Sequence, residues 1–382
     1  SDPDNLRVPA LELIVRLLPD GARAGVWLFG EAVEVLVPHG QVDSAWREQA
    51  LQALGAIDNS GQRTNIPAAL AAATYDTGSM NPAYRTSIIL LTDGKVDVSE
   101  SPMANATAAR RLLGETAPDL GATGIPVHTI ALSDEADWEF LRSLAHATSG
   151  MAEKAGTAAE LTEIYLQSLE MVAPTARVPV KRRAFTIDAS VREFTALVFV
   201  DEGGTEIGLV SPGGNRYRPG EAAEGVHWFS NRQFALVTVT APEEGDWKLE
   251  VSRGARIRVT VISDLQLDVD PLPNSMPTGK RGELGLRLRE QGRVISDPEV
   301  LGLFAIRVKL SGPAGDMPDI AVSGAYEMPG DGEFRVTIPP FERPGRYQVT
   351  AVIEGETLQR ELPMYVEITA TPATTTIKTR AG

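Results

Sequence analysis

Two mainly apolar segments of the sequence are followed by loops with oxygen-bearing side chains. Residues 88–91 (IILL) run into Thr92 and Asp93, and residues 125–132 (IPVHTIAL) run into a second polar loop. Strands of this kind are typical of a parallel sheet that is covered on both faces. Because such sheets bind ligands at the carboxyl ends of their strands, we expect chemistry in the loops after Leu91 and Leu132 and at nearby helix starts.

The composition excludes several kinds of chemistry. The 382 residues contain no cysteine, which removes disulfides, thiolate nucleophiles, iron–sulfur clusters and cysteine zinc sites. The four histidines form no HExxH motif, and no nucleophile–base pair or cofactor loop stands out, so we expect the protein not to be an enzyme. The formal net charge of −15 disfavours a nucleic-acid partner. No apolar run is long enough to span a membrane.

The elements that position these loops predict a first, α/β part of the chain. A helix is predicted at 6–18 and short strands at 24–29 and 32–37, after which helices alternate with the two apolar strands up to residue 171. This alternation predicts a doubly wound α/β domain over residues 1–172. The charge changes at the same place, because residues 1–172 hold 11 Lys/Arg and 23 Asp/Glu, whereas the rest of the chain is nearly balanced.

Several segments resemble, in their order and spacing, those of a bacterial von Willebrand factor A-type (VWA) domain. The similarity lies in residues 17–30 (LLPDGARAGVWLFG), 61–66 (GQRTNI), 88–94 (IILLTDG) and 124–150. The resemblance covers residues 1–172 and implies the doubly wound, Rossmann-like fold of that family.

The resemblance also implies a metal site. In the family, a divalent cation, usually Mg²⁺, is held by oxygens from three loops, and a carboxylate of a partner protein takes an open position on the ion. Thr64 and Asp93 match the second and third loops. The first loop carries Asp-x-Ser-x-Ser and precedes the opening helix, whereas this chain starts after that point. Mg²⁺ or another divalent cation is therefore the implied cofactor, provided that the full-length protein has this loop.

Simpler interpretations stand beside the metal site. Thr64 is also typical of a helix N-cap, and Asp93 is typical of a turn before Gly94. A literal Asp-x-Ser-x-Ser sequence at residues 97–101 (DVSES) lies in the same loop as Asp93, and we interpret it as a solvated loop that caps the next helix. For the whole domain, we expect an N-terminally truncated copy that lacks its first strand. The alternative is a degenerate domain with a rearranged sheet.

Beyond residue 172, helical periodicity gives way to short alternating segments that are separated by turns rich in Gly and Pro. We predict a linker that contains the basic cluster 181–183, a β-sandwich at 178–263 and a second, immunoglobulin- or fibronectin-like sandwich at 265–368. Tyr347 lies where a tyrosine corner forms in such sandwiches. Residues 369–382 are rich in Thr, Pro and Ala and predict a flexible tail.

Together these features predict a protein-binding, adhesion or assembly module of the bacterial cell envelope. We expect it in the periplasm or at the cell surface, although the chain shows no signal peptide. The A-type domain engages an exposed carboxylate of a protein partner through the metal, and the sandwiches act as spacers or interaction surfaces. The alternative is a structural scaffold that does not depend on metal.

We expect the gene to encode, a little before Ser1, an apolar strand of about six residues that ends in Asp-x-Ser-x-Ser. The reason is the order of elements in the family, in which the helix predicted at 6–18 directly follows that loop. The upstream DNA sequence tests this expectation, and a stop codon or a polar stretch at that place would contradict it.

Overall fold

The computed structural model describes residues 7–57, 63–74, 85–92, 95–133, 136–199, 207–252, 255–324 and 329–370. The chain divides into two compact units, the first almost entirely within residues 1–174 and the second almost entirely within residues 175–382. Helices and strands alternate in the first unit, whereas the second is built from strands. This confirms the prediction of an α/β part followed by a part rich in strands and sheets.

The helices and strands of the first unit follow the predicted order. Its helices are α1 (Arg7–Leu17), α2 (Ser44–Ala53), α3 (Ile66–Ala73), α4 (Pro102–Arg111), α5 (Ala117–Thr123), α6 (Trp138–Ala147) and α7 (Ala158–Val172). Its strands are β1 (Arg23–Phe29), β2 (Val33–Gln41), β3 (Ile88–Thr92), β4 (Val127–Ala131) and β5 (Ala152–Lys154). Helix α5 and the short strand β5 were not predicted from the sequence.

Strands β3, β4 and β5 form a parallel sheet that is covered on both faces. On one face, Ile130 of β4 belongs to a core that includes Ile14 of α1 and Leu161 of α7. On the other face, Leu90 of β3 belongs to a core that includes Leu141 of α6 and residues of α3. This two-sided burial explains why the sequences of β3 and β4 are apolar along their length.

Strands β1 and β2 pair antiparallel in a separate sheet. Ile88 N–H donates a hydrogen bond to Pro126 O, which sets the register of the parallel pairing. In this register the backbone groups of Ile88 and Leu90 face β4 and bond to it. The backbone groups of Ile89 and Leu91 therefore point to the opposite edge of β3. No described strand pairs with that edge. The described residues of the first unit therefore form two separate sheets, whereas the sequence predicts a doubly wound domain.

The second unit is a succession of strands with one short helix, α8 (Pro298–Leu301). Its strands are β6 (Arg177–Val178), β7 (Ala184–Ile187), β8 (Val191–Phe199), β9 (Gly208–Val210), β10 (Arg216–Tyr217), β11 (Val226–Ser230), β12 (Phe234–Thr240), β13 (Gly245–Glu250), β14 (Ile257–Ser263), β15 (Leu265–Val269), β16 (Ser275–Pro277), β17 (Gly282–Glu290), β18 (Arg293–Val294), β19 (Ala305–Gly312), β20 (Gly315–Asp316), β21 (Ile320–Ala321), β22 (Glu333–Ile338), β23 (Gly345–Glu354) and β24 (Gln359–Thr369).

A large sheet runs through the whole second unit in the order β11-β12-β8-β14-β6-β24-β23-β19-β20. It is accompanied by a sheet β10-β9-β13-β7 and by a sheet that contains β15, β17, β18 and β22. The short strand β6 pairs with both β14 and β24, so the large sheet crosses both regions that the sequence assigns to separate sandwiches. The sandwich boundaries and the immunoglobulin-like character stay predictions.

Aromatic rings fill the core between the sheets that contain β7, β8 and β13. The ring of Phe194 lies 5.0 Å from that of Trp247 and 5.2 Å from that of Phe185, measured between centroids and in edge-on geometry. Further along the chain, the Tyr347 hydroxyl donates a hydrogen bond to Arg343 O at 3.1 Å. This is the hydrogen bond to the chain just upstream that the predicted tyrosine corner requires.

The basic cluster predicted to lie in a linker forms a tight turn between β6 and β7. Lys181 and Ala184 exchange two backbone hydrogen bonds of 2.8 and 3.0 Å. Between them, Arg182 and Arg183 both have positive φ angles, 51° and 70°, as the two central residues of a type I′ hairpin turn do. The cluster is therefore a closed hairpin turn and not part of the linker that the sequence predicts.

The carboxyl end of the chain departs slightly from the prediction. Thr369, predicted as the first residue of the tail, is the last residue of β24, and residues 371–382 lie outside the described residues. None of the helices in the described part of the chain is both long and apolar enough to cross a membrane.

A buried ion pair joins the turn between β7 and β8 to β24 inside the second unit. Arg360 Nη2 donates to Asp188 Oδ2 at 2.6 Å, and the two side chains are only 1% and 6% exposed. The second oxygen of Asp188 accepts hydrogen bonds from the backbone and the hydroxyl of Ser190. Both carboxylate oxygens of Asp188 are thus engaged, whereas Arg360 Nε is buried without a hydrogen-bond partner in the described part of the chain, so the pair is only partly satisfied.

Arg360→Ala should lower the free energy of unfolding of the second unit by about 3–5 kcal/mol, because it leaves the Asp188 carboxylate buried without its partner. The matched control is Arg289→Ala, which removes the more exposed pair with Asp268 and should cost less than about 1 kcal/mol. Differential scanning calorimetry of the full chain measures both effects. Equal and small shifts in the two variants would contradict a structural role for the buried pair.

Candidate functional site at the carboxyl end of strand β3

Two backbone hydrogen bonds hold the loop before α3 against the loop that follows β3. Thr64 N–H donates to Asp97 O at 3.2 Å, and Asp97 N–H donates to Thr64 O at 3.0 Å. Asp93, the other predicted ligand, belongs to the same connection as Asp97 but lies outside the described residues. The structure therefore brings together the two loops to which the predicted ligands belong, through Thr64 on one and Asp97 on the other.

Thr64 precedes α3 without capping it. The N-cap of α3 is Asn65, whose side chain accepts a hydrogen bond from Ala68 N–H at 3.1 Å. The interpretation of Thr64 as the N-cap is therefore wrong, because Asn65 already occupies that position. The Thr64 side chain is half-buried, and its hydroxyl makes no hydrogen bond to any residue in the described part of the chain. By contrast, the Thr129 hydroxyl donates to Leu141 O.

The Asp97 carboxylate is engaged by a side chain of α4. Asn105 Nδ2 donates to Asp97 Oδ1 at 2.9 Å and to Ser99 O at 3.0 Å. The segment ends at Ser101, whose hydroxyl accepts from Ala104 N–H and thereby caps α4. The interpretation of residues 97–101 as a loop that caps the next helix is confirmed.

Arg63 ties three loops together at the same place. Its guanidinium lies 3.1 Å from Glu31 Oε1, 3.4 Å from Asp97 Oδ1 and 3.7 Å from Glu100 Oε1. The Glu31 and Glu100 side chains are 70% and 94% exposed, so water screens these two contacts and each contributes little to stability. The main effect of these contacts is on the local net charge, which stays negative because one arginine faces three carboxylates.

The loop after β4, the other predicted place for a ligand, is only partly described, because residues 134–135 lie outside the described residues. Beyond it, Trp138 packs against the core formed by α3, α5 and α6. Lys154, at the end of β5, places its Nζ 5.3 Å from the centroid of the Trp138 ring. Within β4, His128 is 2% exposed and accepts a hydrogen bond from Met151 N–H. These side chains are parts of the core and its rim.

The donor chemistry at the end of β3 fits a cation that prefers oxygen ligands, such as Mg²⁺. Thr64 offers a neutral hydroxyl, and Asp93 offers a carboxylate by residue type. Asp97 is the next candidate after Asp93, although its Oδ1 already accepts from Asn105 and faces Arg63. Among the described residues, no group of three His, Asp or Glu side chains could hold a metal ion. Thr64 and Asp93 therefore stay predicted ligands.

Sequence reasoning missed Asn105 and Arg63. Their contacts join residues 8 and 34 positions apart, and nothing in the local pattern specifies those pairings. The one available signal is that Asn105 stands beside Ala104 and Ala108 on the face of α4 that is partly buried. A polar side chain on such a face needs a hydrogen-bond partner.

Comparison with known proteins identifies the first unit. The family profile of the von Willebrand factor type A domain matches residues 5–167. No curated protein sequence matches the chain.

Three solved structures illustrate what the chain is similar to. A von Willebrand factor type A protein from Catenulispora acidiphila is 16% identical, with a TM-score of 0.37, over 98% of this chain and 64% of that one. The ArnB paralog VWA2 from Sulfolobus acidocaldarius is 12% identical, with a TM-score of 0.32, over 97% and 62%. Proximal thread matrix protein 1 from the mussel byssus, with a zinc-occupied MIDAS motif, is 16% identical, with a TM-score of 0.34, over 49% and 45%.

The chain thus spans between 45% and 64% of the length of these three structures, and TM-scores this low carry no structural argument. The family profile agrees with the alternation of helices and strands and with the parallel sheet covered on both faces. Residues 5–167 of this chain form a von Willebrand factor type A domain.

Proposed function

We propose that the VWA domain binds a protein partner through the loops at the carboxyl end of β3. A divalent cation, Mg²⁺ in the simplest case, is held there by Thr64, Asp93 and further oxygen ligands, and an exposed carboxylate of the partner completes its coordination. The observation that carries the proposal is the pair of backbone hydrogen bonds between Thr64 and Asp97. They join two loops that are distant in the sequence at the edge of the sheet where ligands bind in open α/β folds.

The chemistry of the two ligands supports this role. A threonine hydroxyl is a neutral ligand, so it leaves the positive charge of the cation largely uncompensated. Asp93 supplies one full negative charge, and Mg²⁺ accepts six oxygens in octahedral geometry. A cation that is held by few charges retains its attraction for a carboxylate from outside the domain. The cation then acts as an electrostatic bridge between the two proteins and takes part in no reaction.

The rest of the chain fits a binding protein better than an enzyme. We propose that residues 178–263 and 265–368 are sandwich-type spacers that present the VWA domain, and that the protein works at the bacterial cell envelope, in the periplasm or at the cell surface. The large sheet that runs through β14, β6 and β24 supports a spacer role, because a continuous ladder resists bending between its parts. No catalytic activity is proposed.

Asp93→Ala should abolish measurable binding of Mg²⁺, whereas Thr64→Val should weaken it by about tenfold, the equivalent of ~1.4 kcal/mol. Asp93 carries the charge, and valine removes only the hydroxyl of Thr64 while keeping its shape and its backbone bonds. Isothermal titration calorimetry with Mg²⁺, on the protein with the expected upstream strand and its Asp-x-Ser-x-Ser loop restored, measures both. The melting temperature of Asp93→Ala should stay unchanged or rise slightly, because the substitution relieves repulsion in an acidic loop.

The matched control is Asp119→Ala, which removes an exposed aspartate from α5 and should leave Mg²⁺ binding unchanged. Equal Mg²⁺ affinity in Asp93→Ala and the unaltered chain would place the cation elsewhere. If the protein with this loop restored binds no Mg²⁺ but still binds a partner, it is the metal-independent scaffold of the alternative hypothesis.

A further inference from the structure

The side chain of Asn105 makes four hydrogen bonds to one short stretch of backbone and side chain. Its Oδ1 accepts from Val98 N–H at 2.9 Å and from Ser99 N–H at 3.0 Å. Its Nδ2 donates to Asp97 Oδ1 at 2.9 Å and to Ser99 O at 3.0 Å. Both donors and both acceptor positions of the amide are therefore used, and all four bonds end within residues 97–99.

Asn105 is not needed for the helix in which it lies. The N-cap of α4 is Ser101, which already accepts a hydrogen bond from Ala104 N–H. Asparagine is a poor residue for a helix interior, because its side chain competes with the backbone for hydrogen bonds. The contacts of Asn105 point instead to the loop that follows β3.

The loop segment that Asn105 holds is the one that pairs with Thr64. Asp97 contributes its N–H and its C=O to the two backbone bonds with Thr64, while its carboxylate accepts from Asn105. The same carboxylate is approached by Arg63, the residue before Thr64. A connected set of hydrogen bonds therefore leads from α4, through Asp97, to the loop before α3.

We propose that Asn105 is a positioning residue of the candidate site: its amide fixes residues 97–99, and these in turn fix Thr64 relative to the end of β3. The inference rests on the proposed function for its consequence, which is the affinity of the site for a cation. The structural part of the inference, that Asn105 keeps Thr64 and Asp97 in a fixed position, is independent of that function. Partners of this kind behind a ligand typically change metal affinity by about 10- to 100-fold.

Three variants of the full chain test the proposal. Asn105→Ala removes all four hydrogen bonds. Asn105→Asp keeps the shape but places a second carboxylate against that of Asp97. The double variant Asp97→Asn/Asn105→Asp exchanges the two side chains, so that an amide again faces a carboxylate. Thr107→Ala is the matched control, because Thr107 lies on the same helix and its hydroxyl bonds only to the helix itself, at Met103 O.

The first measurement is amide hydrogen exchange, followed by mass spectrometry on peptides that cover Thr64 and Asp97. Exchange there should be at least about tenfold faster in Asn105→Ala and Asn105→Asp, because local opening becomes easier. It should be unchanged in Thr107→Ala and partly restored in the double variant, which regains the amide–carboxylate hydrogen bond but not the one to Ser99 O. A role of Asn105 in helix stability alone predicts no rescue by a change at Asp97. Unchanged exchange in both single variants, or no rescue, would overturn the proposal.

The second measurement is the affinity for Mn²⁺, used as a paramagnetic substitute for Mg²⁺. If the unaltered chain binds Mn²⁺, the two single variants should bind it about 10- to 100-fold more weakly, and equal affinity would overturn the link between Asn105 and the site. If neither the unaltered chain nor the protein with the expected upstream loop restored binds Mn²⁺, the metal part of the proposed function fails. The exchange rates still decide whether Asn105 positions Thr64, so the two failures are distinguishable.

Discussion

Polar groups inside a strand that is buried on both faces must be paired, so unpaired polar groups can lie only where the strand ends. This constraint governs the VWA domain. β3 and β4 belong to two cores at once, one shared with α1 and α7 and the other with α3 and α6. Polar groups inside these strands are paired, as with Thr129, which donates to Leu141 O. Uncommitted oxygen ligands can therefore collect only at the carboxyl ends, where the chain turns into loops. The position of the candidate site follows from the burial of the sheet.

The same constraint explains why much of the first unit could be predicted from the sequence. Two-sided burial makes β3 and β4 continuous apolar segments, and amphipathic helices have their own period, so the order of elements is visible in one sequence. The strand β5 was missed because it has only three residues, and the lysine at its end resembles a loop residue. The large sheet of the second unit was also missed. The two-residue strand β6, which joins its halves, carries no pattern of its own.

In the candidate site, too, some residues could be predicted from the sequence and others could not. Thr64 and Asp93 were found because they lie in short motifs that resemble those of a known family. Asn105 and Arg63 act through contacts between separate elements, and those contacts exist only once α4 has docked beside the sheet. The interpretation of Thr64 as an N-cap was wrong for a similar reason, since a threonine before a helix is typical of an N-cap. Only the structure shows that the next residue, Asn65, takes that role.

The charges around Thr64 bear on the order in which a cation and a partner would bind. Arg63 faces Glu31, Asp97 and Glu100, so this part of the rim keeps a net negative charge even after the arginine is counted. Such a rim attracts a divalent cation and repels a carboxylate. In the proposed function, a partner's carboxylate therefore meets repulsion until the cation is in place. One oxygen of Asp97 already accepts from Asn105 and faces Arg63, so in the proposed function Asp93 is the first carboxylate available to the cation. The cation offsets part of this negative charge and offers the partner's carboxylate a direct ligand position, which makes partner binding conditional on the metal.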